Sequence, residues 1–328
     1  FVMQKTNFPF VAYVSDDAST DGTQEIIKEY AEKYPDIIKP ILRTVNTGGP
    51  DNYMDNYKRI DTEYYANCEG DDYWTDPDKL QIQVDFLDAH PDYAMCSHKH
   101  RVIFEDGSGE ADRIGPPKNF EKARTIKSFL QDNQIAAGSV VYRWRFNRTN
   151  CKVEDYVPMD VEPGDWFMHL LHLQTGKFRL IDRVMSVYRI HNNGLFHGYF
   201  SGDEDLFWLR NGFKHLRFFE ECQKRFGMDT RKKLKNGVKR TLFAALRNHE
   251  HEIINNLMQR YSAETMAVLY DLADIALPLI NKQGLKTIKR EIKRIKLASL
   301  LAFGTRKQKY KQKIADLKAV CTKIRILR

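Results

Sequence analysis

Cysteine is scarce in this 328-residue chain, and its spacing excludes two common uses. Cys68, Cys96, Cys151, Cys222 and Cys321 form an odd set with no close-spaced pair. A disulfide framework or a structural zinc site needs paired cysteines or histidines at ligand spacing, so free thiols in a reducing cytoplasm are expected. Long apolar runs are missing too. None approaches the roughly 18–20 residues that cross a bilayer, and the stretch 273–280 is short and interrupted by Pro278. There is no secretory signal and no internal repeat. A glycine loop followed by lysine, which would cradle phosphates, is also absent and argues against a phosphotransferase. The chain opens at Phe1 rather than at methionine, so natural sequence upstream of it is expected.

What is present is the composition of a folded protein. Hydrophobic residues make up 42% and aromatic residues 12%, which excludes disorder as the default. The length suits one large domain plus an appendage, or two modest domains. The net charge of +8 is unevenly spread. Residues 281–328 carry 16 Lys and Arg against Glu291 and Asp316, a local +14 that leaves −6 for residues 1–280. A mildly acidic body with a basic tail is the better description.

Along residues 1–200, short apolar runs alternate with helical periodicity. Strands are expected at 10–15, 37–44, 63–68, 93–104, 138–144 and 178–189. Asp21 is the expected cap of the first helix, with Gln24 in capping-box position. Asp76-Pro77 is expected to open the helix whose buried face is Leu80, Val84 and Leu87. The alternation predicts an α/β fold, an open and mostly parallel sheet with flanking helices. Residues 201–328 read as helices only. In such sheets ligands bind beyond the carboxyl ends of strands, and two acidic clusters lie at such ends.

The first cluster, Asp16-Asp17-Ala18-Ser19-Thr20-Asp21-Gly22-Thr23, reads either as a capped turn or as a site recognising a base or ribose. The second, Glu69-Gly70-Asp71-Asp72-Tyr73-Trp74, places three carboxylates within four residues on a turn that Gly70 would permit. Such crowding is costly unless a cation sits there, and Mg²⁺ or Mn²⁺ takes one or two carboxylates plus substrate phosphates. A solvated acidic turn is the plain alternative. His98 and His100 fall on one face of a strand and read as sheet-surface residues.

Asp16–Thr23, Asn46 with Gly48, and the phrase Glu69-Gly70-Asp71-Asp72-Tyr73-Trp74-Thr75-Asp76-Pro77-Asp78-Lys79-Leu80 together resemble the GT-A glycosyltransferases, specifically glycosyltransferase family 2 of the bacterial surface-polysaccharide type. The resemblance covers roughly residues 5–195. It implies a Rossmann-like GT-A domain over 1–200, with a helical C-terminal region over 201–328. It also implies an inverting, metal-dependent transfer from a nucleotide-diphosphate sugar, a UDP-sugar first among them, to a saccharide or lipid-linked saccharide. On that footing Asp16, Asp17, Asn46 and Asp71 would bind the nucleotide sugar. Asp72, Glu69 and His191 would hold Mn²⁺ or Mg²⁺, and Asp165 in Glu162-Pro163-Gly164-Asp165-Trp166 would be the catalytic base. Without the resemblance, Asp165 reads as a helix cap. The family's first strand is not found ahead of Phe8, so an incomplete, non-catalytic module binding a partner or membrane stands as the alternative.

Beyond residue 285, Leu285, Ile288, Ile292 and Ile295 share one helical face ringed by Lys and Arg. This is the pattern of a helix lying on an anionic membrane, or of a helix packed on the protein with a solvated basic face. No nucleic-acid motif accompanies it. A cytoplasmic protein, peripheral on the inner membrane face, is expected.

Overall fold

Strand β1 (Ala12–Asp16) pairs in parallel with β2 (Ile38–Leu42), and α1 (Thr23–Lys33) provides the crossover that a parallel pair requires. This computed structural model describes residues 1–276 apart from 106, 108, 118–119, 121–124, 130–131, 148–150, 193 and 195–203. The chain divides into two compact units, Phe1–Phe207 and one that begins at Trp208. The start of α1 departs from expectation. Its N-cap is Gly22 at φ 91°, a left-handed conformation that glycine adopts without strain. Asp21 instead accepts from the Thr23 hydroxyl at 2.6 Å, and Gln24 turns back to Asp16.

After α2 (Gly49–Arg59), a larger sheet is built from β3 (Tyr64–Ala66), β4 (Tyr73–Trp74), β5 (Tyr93–Phe104), β6 (Arg113–Gly115), β7 (Val141–Arg143) and β8 (Lys177–Ile190). Helices α3 (Lys79–Ala89), α4 (Ile126–Phe129) and α5 (Gly164–His172) flank it. The strand order is β3-β7-β5-β8-β4, with β6 also on β5. The α/β class is as expected, but this sheet is mixed rather than mostly parallel. Only β5 and β8 run parallel; β3·β7, β4·β8, β5·β6 and β5·β7 are antiparallel. The expectation rested on strand–helix alternation up to β5. The short strands β4, β6 and β7 follow turns and loops, which return the chain without a helical crossover.

Helix α3 starts at Lys79, two residues later than Pro77 suggested, with Asp78 as N-cap. Asp76 accepts from the Asp78 N–H and pairs with Arg183. Leu80 and Leu87 pack with Cys96 and Val141, which seats α3 on the sheet. The centre of that sheet is covered on both faces. His98 and His100 are therefore buried and not on the surface, at 0% and 5% exposure. Register irregularities between His98 and His100 accompany this turn of both rings inward. Gly176, between α5 and β8, has its backbone pressed against the start of β5: a Cβ there would meet the Ala94 nitrogen at 2.7 Å.

Helix α6 (Glu204–Phe226) starts four residues ahead of the second unit, in which its remainder, α7 (Arg231–Arg247), α8 (His251–Arg260) and α9 (Ser262–Ala276) share a core of Leu216, Val238, Leu242, Leu257, Tyr261 and Val268. No described helix is long and apolar enough to cross a membrane. The basic amphipathic segment beyond residue 280 lies outside the described residues.

Candidate active site

The acidic turn closes with a hydrogen bond from the Asp72 N–H to the Glu69 carbonyl at 3.1 Å. Gly70 is not what permits it, since its φ is ordinary and a Cβ there would meet nothing within 4 Å. The turn is fixed by its neighbours. Tyr73 and Trp74 pair with Val187 and Ser186 on β8, and the Trp74 indole N–H donates to the Gly138 carbonyl at 2.9 Å. The main-chain N–H of Arg189 donates to Asp72 Oδ1 at 3.0 Å, while its guanidinium donates to the Asp71 carbonyl at 3.2 Å and to Glu105. His191 Nε2 lies 3.0 Å from Asp71 Oδ2. Tyr53 donates its hydroxyl to Glu69 Oε1 at 2.6 Å.

Burial raises the proton affinity of Asp72 and Glu69. Burial, reinforced by Asp71 and Glu69, pushes Asp72 up to about 7 against the Arg189 hydrogen bond. Burial also raises Glu69, although the Tyr53 hydroxyl opposes it. Asp165, at the start of α5, is driven up to about 7 by its surroundings and by the Glu69 carboxylate. Its oxygens accept from the Trp166 N–H at 2.7 Å and the Asn133 amide at 3.0 Å. The Tyr188 phenol feels all four carboxylates, Asp72, Glu69, Asp165 and Asp71, and its proton is held more tightly by burial and then by that field. The fields of four carboxyls, three on the turn and one on α5, thus reach one phenol on β8.

A cleft of about 540 Å³ opens beside the turn. Ser15 of β1, Asn52 and Asn56 of α2, Asn67, and the β8 end from Tyr188 to His191 line it together with Glu69–Trp74. Asn52, Asn56 and Tyr53 carry no sequence motif, and Tyr188 opens the family-like phrase Tyr188-Arg189-Ile190-His191, in which only His191 is assigned a role. Their signal would have been the polar face of α2 and the aromatic position ahead of Arg189.

The first acidic cluster lies apart from that lining. Burial pulls the Asp16 carboxyl up, but hydrogen bonds from Ser19 and Gln24 outweigh it and keep the group ionised. Asp17 accepts from the Thr47 N–H at 2.9 Å and the Gly48 N–H at 2.7 Å, which lowers its proton affinity. Asn46 accepts from the same Gly48 N–H at 3.1 Å. Asp17 and Asn46 are therefore brought together, each occupied in holding the 46–48 loop. Ala18, between these groups, sits at φ 65°, a strained conformation for a residue with a Cβ.

Among the described residues no group of three His, Cys, Asp or Glu side chains is arranged as a metal cage. The donor chemistry nevertheless suits a hard divalent ion. Asp72 is a carboxyl whose ionisation a cation would relieve, and such ions complete their shells with substrate phosphates and water.

This arrangement defines a class: an α/β domain with an acidic turn at the end of a strand and a separate carboxyl on a following helix. Residues 2–150 match the family described as "Glycosyl transferase family 2". The uncharacterized protein Rv1520 of Mycobacterium tuberculosis is 41% identical over 212 residues, 65% of this chain and 59% of that protein. The chain thus spans about three fifths of that relative's length. The dTDP-rhamnosyl transferase RfbG of Shigella flexneri is 26% identical over 204 residues, 58% of this chain and 66% of that protein. The crystal structure of S. aureus TarS, residues 1–349, aligns with 80% of this chain and 81% of its own at 15% identity and a TM-score of 0.44.

Proposed function

We propose that the protein is an inverting, metal-dependent glycosyltransferase that moves a sugar from a nucleotide-diphosphate sugar to a saccharide or lipid-linked saccharide in cell-surface polysaccharide synthesis. The observation that carries this reading is the acidic turn lining the cleft, where Glu69, Asp71 and Asp72 are held by Tyr53, His191 and the Arg189 N–H, with Asp72 and Asp165 both raised to about 7. Asp72, with Glu69 and His191 in support, would hold Mn²⁺ or Mg²⁺. When bound, the ion neutralises charge on the leaving diphosphate. Asp71 would contact the donor's ribose, and Asp16, Asp17 and Asn46 would shape the nucleoside end by bracing the 16–22 and 46–48 loops. Asp165 would take the proton of the acceptor hydroxyl. A base that titrates near neutral pH combines availability with driving force. Inverting transfer needs one such base, and Asp165 is the raised carboxyl outside the acidic turn. Peripheral attachment to the inner membrane face through the basic tail belongs to the same reading and would bring a lipid-linked acceptor to the cleft.

The test is calorimetric titration of UDP, GDP and dTDP into the full chain with and without Mn²⁺. Binding that requires the metal and is lost in Asp72→Ala, by at least 10-fold in affinity, is the expected outcome. Binding of none of the three, or metal-independent binding unchanged in Asp72→Ala, refutes it. RfbG, named for a dTDP-sugar, makes dTDP a necessary arm beside UDP, the donor base expected first.

A further inference from the structure

Helix α5 places His169 four residues after Asp165, on the same face. Its ring is fully buried, with Tyr142 of β7 stacked at 5.8 Å between centroids and Phe129 edge-on at 6.2 Å. His169 Nδ1 lies 2.7 Å from the Tyr142 hydroxyl. Nε2 has no hydrogen-bond partner, and 4.0 Å away is Asp165 Oδ2. Burial pushes the imidazole down to about 3, so the ring is neutral and carries one proton. Burial likewise holds the Tyr142 phenol protonated.

Two tautomers are open to such a ring. With the proton on Nδ1, a lone pair on Nε2 would face a carboxylate across 4.0 Å in a dry environment, which is repulsive. With the proton on Nε2, Tyr142 donates to Nδ1 and an N–H points at the carboxylate. A buried donor without an acceptor costs about 1–3 kcal/mol, so its aim at the one nearby carboxylate has a use. A movement of about 1 Å brings the pair to hydrogen-bond distance.

We propose that His169 is a positioning residue for Asp165: held by Tyr142 as the Nε2–H tautomer, it offers a buried N–H to the ionised carboxylate. This rests on the reading of Asp165 as the base. The sequence Tyr142–His169–Asp165 supplies one donor that strengthens as Asp165 becomes charged and weakens once it has taken a proton. It steadies the charged form against the groups that oppose it, Glu69 on the acidic turn and Glu162 ahead of α5. Tyr57 of α2, Tyr142 and Tyr188 are the phenols that feel Asp165, and His172 acts on His169 from one turn further along α5.

The experiment needs no substrate. The full chain is labelled with ¹⁵N-histidine and ¹³Cγ-aspartate, the Asp165 signal is assigned by its loss in Asp165→Asn, and both labels are followed by NMR from pH 5 to 9. His169 is expected as the Nε2–H tautomer above pH 7, where Asp165 is ionised, with a mixture in Tyr142→Phe. The Asp165 midpoint is expected to rise by about one pH unit in His169→Phe, less in Tyr142→Phe, and to return in His169→Gln, whose amide restores an N–H. An Nδ1–H tautomer at pH 9 overturns the proposal. So does an unmoved Asp165 midpoint in folded His169→Phe, or in the isosteric Tyr142→Phe should His169→Phe fail to fold. Failure of the base reading would show separately, as turnover retained by Asp165→Asn, and leaves these resonances unaffected.

Discussion

Replacing Asp165 with asparagine should stabilise the protein above neutral pH and not below it. Its carboxyl ordinarily ionises near 3.8 and in the fold near 7. Because the folded value is raised, protonation favours folding. That stabilisation is complete below about pH 4, declines as the pH rises, and is gone above about pH 7. Three units correspond to about 4 kcal/mol as a ceiling. With 29% of the side chain open to water, about half of this is a fairer figure. Asparagine keeps the shape and the Asn133 contact, and sacrifices about 1 kcal/mol of the bond from the Trp166 N–H at every pH. Between pH 5 and pH 8 the variant should therefore gain about 1–1.5 kcal/mol relative to the natural protein. For a unit of this size that is about 2–5 °C in melting temperature. Differential scanning calorimetry of both proteins at the two pH values reads this directly. An equal difference at pH 5 and pH 8 would refute the reasoning and leave Asp165 as an ordinary acidic residue in the first turn of α5, whose N-cap is Pro163 and not the aspartate.

Lys79 invites a related measurement. It is fully buried, its Nζ has no hydrogen-bond partner and lies 4.1 Å from the Trp74 ring centroid, and burial lowers its proton affinity to about 7. A lowered lysine costs stability as pH falls from about 10 to 7, so Lys79→Met should raise stability by about 2 kcal/mol at pH 7 and by less at pH 10, as read by thermal melts. Gly176→Ala should lose about 2–3 kcal/mol at any pH, since the new Cβ would strike the main chain of Ala94 and Asp92; unchanged melting would refute the close approach.

The sequence was most legible where local chemistry repeats itself. Leu80, Val84 and Leu87 announced the buried face of α3, and the strand expected at 93–104 coincides with β5. The phrase from Glu69 to Leu80 located the acidic turn, which the fold confirms as one wall of the cleft. Strand direction was not legible, because β4 and β7 are only two and three residues long and take their partners from distant sequence. The burial of His98 and His100 was hidden for the same reason: which face of a strand is covered depends on elements far along the chain. Asp16 and Asp17 were recognisable as a cluster, but that loop contacts would occupy their oxygens is a tertiary fact. Tyr188 stood in a family-like phrase but was given no role, because a single aromatic residue in a strand carries no local sign that the fields of four carboxyls reach it.

The hold on Asp72 comes from the peptide nitrogen at position 189 and not from the arginine side chain. A contact of that kind is blind to side-chain identity. Drift at position 189 can exchange the guanidinium that reaches Glu105, and with it the charge at the mouth of the cleft, while Asp72 keeps its orientation under every replacement except proline. The rim of the cleft is in this way free to diversify, and the carboxylate that anchors its chemistry is insulated from that diversification by the backbone itself.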